Sequence, residues 1–276
     1  MSVPSDIWLQ RFIQIFYAIK LMFLAWPFQL YAFYYDQNYG KTLWLAEIFG
    51  DIVSQNTQFY LFGLTEFILL ALILIYPKIR LFRIIEVFWG LIFFALLFKS
   101  KEIGNSLHSF LICSFPIALI NKNNKDSQIK LAINLHLSIY VCAGFWKSFR
   151  LIESILNSRY QQFIDSLLLG HLSQKAIEVG SKNVFIYWFS NLPTTIHTLT
   201  IFIIIFFQLF LIYPIIKGSY SYLLGTLIIL FHLANQLLLD VNFIETQALT
   251  AVLFFIGIPL ASLDENNRKI KESNAL

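Results

Sequence analysis

The chain has 276 residues, of which 58% are hydrophobic and 13% charged, with a net charge of +4. Its mean hydropathy is +0.67. Water-soluble domains carry about a quarter charged residues, so this composition excludes a soluble globular protein, a disordered chain and a collagen-like fibre. No Lys/Arg-rich block offers a nucleic-acid surface, and the 29 Phe, 13 Tyr and 6 Trp suit a bilayer and its interfaces.

A membrane-crossing helix needs about 20 apolar residues, which leaves room for roughly seven to nine of them and no sizeable soluble domain. The apolar runs predict eight spans in chain order, over 7–34, 58–75, 84–98, 107–120, 131–146, 195–216, 223–238 and 246–263. The first run lacks a basic leader and a small-residue cleavage site, so it reads as a permanent span and not a signal peptide. The runs are continuous where a β-barrel would alternate. The expected fold is therefore an all-α polytopic membrane bundle, one domain over 1–263, followed by a mobile cytoplasmic tail over 264–276.

Between the fifth and sixth spans lies the one long connection, 147–193. Its middle, RYQQFIDSLLLGHLSQKAIEV, spaces Phe163, Leu167, Leu168, Leu172 and Ile177 in near-helical fashion. An amphipathic interfacial or re-entrant helix is predicted there. Short loops on the N-terminal side carry Lys78, Arg80, Arg83, Lys122, Lys125 and Lys130, against Lys41, Lys99 and Lys101 opposite. This bias places both termini in the cytoplasm, and a bacterial cytoplasmic membrane is the expected location.

Ionisable groups inside a membrane are costly, so each calls for a partner or a role. With this topology His108, His197, His232 and Asn235 fall toward the outer face, His171 in the outer loop, and Asp240 and Glu245 in a short outer turn. They read either as hydrogen-bonded packing residues and helix caps or as the lining of an outward-facing polar cavity. Lys20 in the first span and Glu66 in the second fall at similar depth, about 10–20 Å from the outer edge, and predict a structural ion pair. Cys113 and Cys142 lie inside apolar runs and read as buried, unreactive thiols. No HExxH, Cys/His box or paired-carboxylate spacing is present, so no metal is predicted. No nucleophile elbow, P-loop or dinucleotide fingerprint occurs either.

Three of these polar stretches resemble segments of one family. IYVCAGFWKSFR (Ile139–Arg150) resembles the Y-F-x-A-G-x-x-K segment of vitamin K-dependent γ-glutamyl carboxylases, with Lys147 at its lysine. GNSLHSFLICSFP (Gly104–Pro116) is similar to their N-H-S segment, with His108 at the histidine but Leu107 where the family has Asn. LFHLANQLLLDVNF (Leu230–Phe243) resembles their F-H-x-M-N-S-Q segment at His232 and Asn235. The resemblance spans 11–263 and corresponds to the membrane part of those enzymes, the HTTM domain. A W-x-x-G-Y equivalent is missing from 150–170, and so is the large extramembrane portion.

The resemblance implies an outer-face enzyme in which Lys147 is the catalytic base and His108 stabilises an anionic quinone or oxyanion. His232, Asn235 and Trp146 would line the substrate site. It further implies a reduced, vitamin K-like quinone as cofactor and carboxylation or maturation of a small peptide. The competing expectation is a non-catalytic membrane subunit that binds a membrane lipid, a quinone or a partner membrane protein. A transporter ranks lower, because no inverted repeat or Gly/Pro-broken helix pair is evident.

Overall fold

A backbone with no water to bond must satisfy itself, and within one segment only a helix does so. The computed structural model describes residues 5–35, 56–97, 106–164, 184–239 and 243–261. Among these the chain is all-α: α1 (Ser5–Tyr35), α2 (Asn56–Ile75), α3 (Arg80–Leu97), α4 (Ser106–Leu119), α5 (Lys125–Leu156), α6 (Tyr160–Ile164), α7 (Val184–Ser190), α8 (Thr194–Phe210), α9 (Ile212–Lys217), α10 (Tyr222–Leu239) and α11 (Ile244–Ala251). The last continues as a π-helical stretch, Val252–Gly257. Stretches 6–24, 125–156, 194–217 and 244–261 are long and apolar enough to cross a membrane, and the apolar parts of α2, α4 and α10 are shorter.

Burial departs from that of a water-soluble protein in its buried polar groups and its exposed apolar ones. Lys20, Glu66, Glu86, Ser114, His136 and Gln208 are buried, while Phe206 is 72% exposed and Phe88, Phe149 and Ile203 are more than half exposed. Soluble interiors almost never take unpaired Lys or Glu, so this distribution matches a surface that faces lipid.

The chain divides into two compact units, 1–133 with 248–276, and 134–247, so the cuts fall within α5 and α11. A single domain was expected. In the first unit α1 packs on α2, α2 on α3, α3 on α4 and α4 back on α1, with the π stretch also against α1. Phe12, Phe16, Tyr17, Leu70, Ile73, Phe110 and Ile117 fill this ring. In the second unit α7 packs on α10 and α6 on α8, around Leu151, Phe163, Ile164, Ile186, Phe189, Ile201 and Ile205.

Two boundaries differ from the hydropathy reading. The fifth span was expected to stop at Trp146, yet α5 runs on to Leu156. Lys147, Ser148, Arg150 and Glu153 end the apolar window but not the helix, because no Gly or Pro interrupts them and Arg150 pairs with Glu153 at 2.9 Å across one turn. The helix ends instead at the Asn157–Ser158 turn, where Ser158 takes a φ of 55°. The sixth span was expected unbroken over 195–216. It breaks at Leu211, because Pro214 has no N–H to give the Phe210 carbonyl. Gly218, in the left-handed region at φ 60°, then closes α9.

The predicted amphipathic segment is only partly described. Tyr160–Ile164 and Val184–Ser190 are short helices, while 165–183, with His171, and the tail 264–276 lie outside the described residues. Of the two cysteines read as buried, Cys113 is buried but Cys142 is exposed on the surface of α5, since lipid-facing and core-facing positions are equally apolar in a membrane helix.

Gly144 sets the approach of α5 to α8. A Cβ there would stand 3.0 Å from Gln208 Cβ and 3.1 Å from Leu209 Cδ2, tighter than ordinary contact. Gly144→Val therefore forces the helices apart and costs about 1–3 kcal/mol, read as a lower midpoint of thermal unfolding in detergent micelles. An unchanged midpoint would contradict the close packing.

Candidate functional site

The first polar set lies in the four-helix ring. Lys20 on α1 extends its ammonium to Glu86 on α3, with which it forms a very short ion pair. Lys20 Nζ also stands 3.8 Å from Glu66 Oε1 on α2 and donates to Ser114 Oγ on α4 at 3.3 Å. Ser114 in turn donates to the Phe110 carbonyl at 2.8 Å. All four residues are buried. The structure thus brings together the expected pair of Lys20 and Glu66, and adds a second carboxylate that takes the closer position.

Glu86 was legible in principle. Glu66 and Glu86 lie on either side of the turn 76–79 between α2 and α3, so antiparallel helices carry them to nearly the same depth. Arg83, one turn before Glu86, was read as a cytoplasmic loop residue. It is instead inside α3 and buried, donating to the carbonyls of Ile117 at 3.0 Å and Ile120 at 3.2 Å at the end of α4. These carbonyls carry the negative end of the helix dipole, and that of Ile117 also accepts from the Ile120 N–H at 3.3 Å.

The second set belongs to the second unit. Lys147 lies on α5, partly buried, and donates to the side-chain oxygen of Gln208 on α8 at 3.0 Å. Gln208 is the one amide in the apolar run TIFIIIFFQLFLI; its isolation there was a signal that could have marked it, though not its partner. No carboxylate among the described residues lies within ion-pair distance of Lys147. Two turns earlier on α5, the Tyr140 hydroxyl and His232 Nε2 on α10 form a hydrogen bond of 2.6 Å. His136 packs edge-on against the Tyr140 ring at 5.3 Å. His197 Nε2 donates to the Phe189 carbonyl at 2.8 Å, so this histidine secures the end of α7.

One cavity of about 440 Å³ opens where α5 turns into α6, lined by Trp146, Lys147, Arg150, Glu153, Ser154, Asn157, Arg159, Gln162 and Phe163. Three cations face one carboxylate there, and that carboxylate is already paired with Arg150. The Arg150 guanidinium also lies 5.0 Å over the Trp146 ring, and Trp146 stacks on Phe149. The surface of α5 beside the cavity is apolar and exposed through Phe145, Trp146, Phe149 and Ile152.

The residues expected to form one site are therefore placed as follows. Lys147 and Trp146 line this cavity, Trp146 as an exposed rim residue. His232 and Asn235 do not line it; His232 is spent on Tyr140, and Asn235 is half-buried on α10. The side chain of His108 and the whole of Asp240 lie outside the described residues. Glu245 occupies the first turn of α11, where a negative charge suits the helix dipole. Among the described residues no group of three or more His, Cys, Asp or Glu comes together. No protein family, curated protein or solved structure matches the chain.

The buried cation of the first unit and an exposed one respond differently to removal. Lys20→Met leaves two carboxylates without their ammonium and costs about 3–5 kcal/mol, as breaking buried pairs does. Lys130→Ala breaks only the exposed pair with Asp126, 3.0 Å apart on α5, and costs under about 0.5 kcal/mol. Thermal unfolding of the two variants in micelles reads the difference, and equal midpoints would remove Lys20 from the core of the fold.

Proposed function

We propose that the protein is an integral membrane binding protein for an anionic amphiphile, taken up at the cavity of Lys147, Arg150 and Arg159. The observation that carries this reading is the excess of cations in that cavity directly beside an exposed aromatic and aliphatic helix face. An anionic head meets Lys147, Arg150 and Arg159, with Ser154, Asn157 and Gln162 as neutral hydrogen-bonding groups. An acyl or isoprenoid tail follows Phe149 and Ile152 along the lipid-facing side of α5. Arginine and lysine at a membrane boundary recognise anionic head groups by this division of labour. The eight-span topology with both termini cytoplasmic, in a bacterial cytoplasmic membrane, places this cavity at the outer face.

A second reading has its own observation. Lys147 meets a neutral amide, not a carboxylate, so loss of its proton leaves no buried counter-charge behind. That is the setting a catalytic base of the carboxylase type needs. The lining suits a reduced quinone in kind, with Trp146 and Phe163 for an aromatic ring and Lys147 for its hydroxyl. When bound, such a group supplies the reducing equivalents for oxygen activation. The residues of the chain contribute the proton acceptor at Lys147 Nζ and the cationic lining for a glutamate-containing peptide.

The two readings separate at one position. Arginine keeps the cation of lysine but cannot serve as a base near neutral pH. Under the binding reading, Lys147→Ala lowers retention of phosphatidylglycerol at least tenfold relative to phosphatidylcholine, and Lys147→Arg preserves it, both read by native mass spectrometry of the purified protein. Equal retention of the two lipids by the unaltered protein would sink the binding reading. Under the carboxylase reading, incorporation of labelled carbon dioxide into a glutamate-containing peptide with a reduced quinone is lost in both variants. Incorporation that persists in Lys147→Arg would remove the base assignment.

A further inference from the structure

The ring of α1 to α4 carries a second chemistry, independent of the Lys147 cavity. Two carboxyl groups and one ammonium stand together with almost no exposure, Glu66 at 1% and Glu86 at 0%. Only Glu86 Oε1 is hydrogen-bonded; both oxygens of Glu66 and Oε2 of Glu86 have no hydrogen-bond partner. The Tyr17 hydroxyl, fully buried, interacts with Glu86 and lies within electrostatic reach of Glu66, but meets neither in good hydrogen-bond geometry. Gly90 on α3 is the floor of this space: a Cβ there would stand 3.3 Å from Glu66 Oε1 and 3.6 Å from Glu86 Oε1.

Among the described residues, the charges facing the group come from α1, α2 and α3 of the ring. α1 brings Tyr17 and Lys20, α2 brings Glu66, and α3 brings Arg83 and Glu86. α4 brings Ser114, which is neutral, and Cys113, whose thiol is turned away to the Ala132 carbonyl. Arg83 makes no ion pair with either carboxylate, since its guanidinium is held by the Ile117 and Ile120 carbonyls. With both carboxyls ionised, Lys20 leaves one negative charge uncompensated in a lipid-surrounded core, an arrangement costing several kcal/mol. A bound metal cation would have to sit beside the Lys20 ammonium and share oxygens already directed at it. A proton removes the charge without that repulsion. It also converts an acceptor-only carboxylate into a donor for the neighbouring orphan oxygens.

We propose that Glu66 and Glu86, bridged by Lys20, form a proton-binding site within the membrane that holds one exchangeable proton between the two carboxyls. Glu86 is the member committed to Lys20, and Glu66 carries the proton, with Glu86 Oε2 or Tyr17 Oη within reach as its hydrogen-bond acceptor. The site takes up one proton when both carboxyls are ionised, and that proton exchanges with water. Charge balance sets the occupancy: each carboxyl in excess of the ammonium carries a proton.

Infrared spectroscopy of the protonated-carboxyl C=O stretch, on purified protein in lipid nanodiscs at neutral pH, tests this. The unaltered protein shows one such band, which shifts in D₂O. Glu66→Gln and Glu86→Gln each lose it, because the remaining carboxylate is balanced by Lys20. Lys20→Met doubles it, and the surface variant Asp126→Asn leaves it as it was. A protein without the band has its carboxylates balanced by Arg83, and the proposal is overturned. A band that survives both glutamine variants, or does not shift in D₂O, overturns it as well. Since the unaltered protein alone decides between presence, absence and exchange, a variant that fails to fold does not rescue the proposal.

Discussion

An ammonium group cannot be left unpaired in a core that lipid surrounds, and the first unit is arranged around satisfying one. Lys20 draws on three other helices at once: Glu86 from α3, Glu66 from α2 and Ser114 from α4. Apolar packing between membrane helices is nearly uniform along their length, so it defines vertical register poorly. The polar set does define it. A slip of one turn, about 5.4 Å, would carry any of these helices out of reach and strand a buried charge. Arg83 performs the same service between α3 and α4 by holding the two terminal carbonyls.

The second unit solves the problem with neutral partners. His232 is bonded to a tyrosine and Lys147 to a glutamine, so neither contact adds a second charge to be buried. Gly144 permits this by letting α5 approach α8 to within side-chain contact of Gln208, one turn before the lysine. Charge gathers where α5 leaves the apolar zone, at Arg150, Glu153 and Arg159. The cavity, the long helix and the absence of a helix stop before Asn157 are three aspects of one fact: the polar residues after Trp146 continue the helix instead of ending it.

Much of the architecture was legible because hydropathy and helix formation coincide in a membrane chain. Among the described residues the apolar runs are helical, four of them long enough to cross a membrane, and the helix break at Pro214 and the extension past Trp146 depart from the expected bounds. Those departures have a common cause, since window hydropathy reports transfer out of water and not backbone continuity. The meeting of Lys20 with Glu66 was legible from depth. Glu86 was not drawn in, although the same depth argument applied to it. Tyr140 and Gln208 were missed for another reason: their importance lies in which helix faces which, and no property of a single segment encodes that. For the same reason the family resemblance grouped His232 and Asn235 with Lys147, whereas contact assigns His232 to Tyr140.

Lys20 and Lys147 show why environment and not residue type decides what a membrane cation does. Lys20 lies between two carboxyls, so removing its proton or its side chain would leave the ionised one unbalanced; it is held as a fixed positive charge. Lys147 faces an amide that is indifferent to its charge and a cavity with other cations in it. Nothing in that setting holds it in one protonation state, and the neighbouring arginines can bind an anion whether or not Lys147 is charged. Of the two, only Lys147 combines access to a cavity with freedom to change charge, which is what either a ligand-responsive binding site or a proton-accepting one requires. The chemical variable of the first unit is instead the proton on its carboxyls, because there the lysine is the constant against which their charge is balanced.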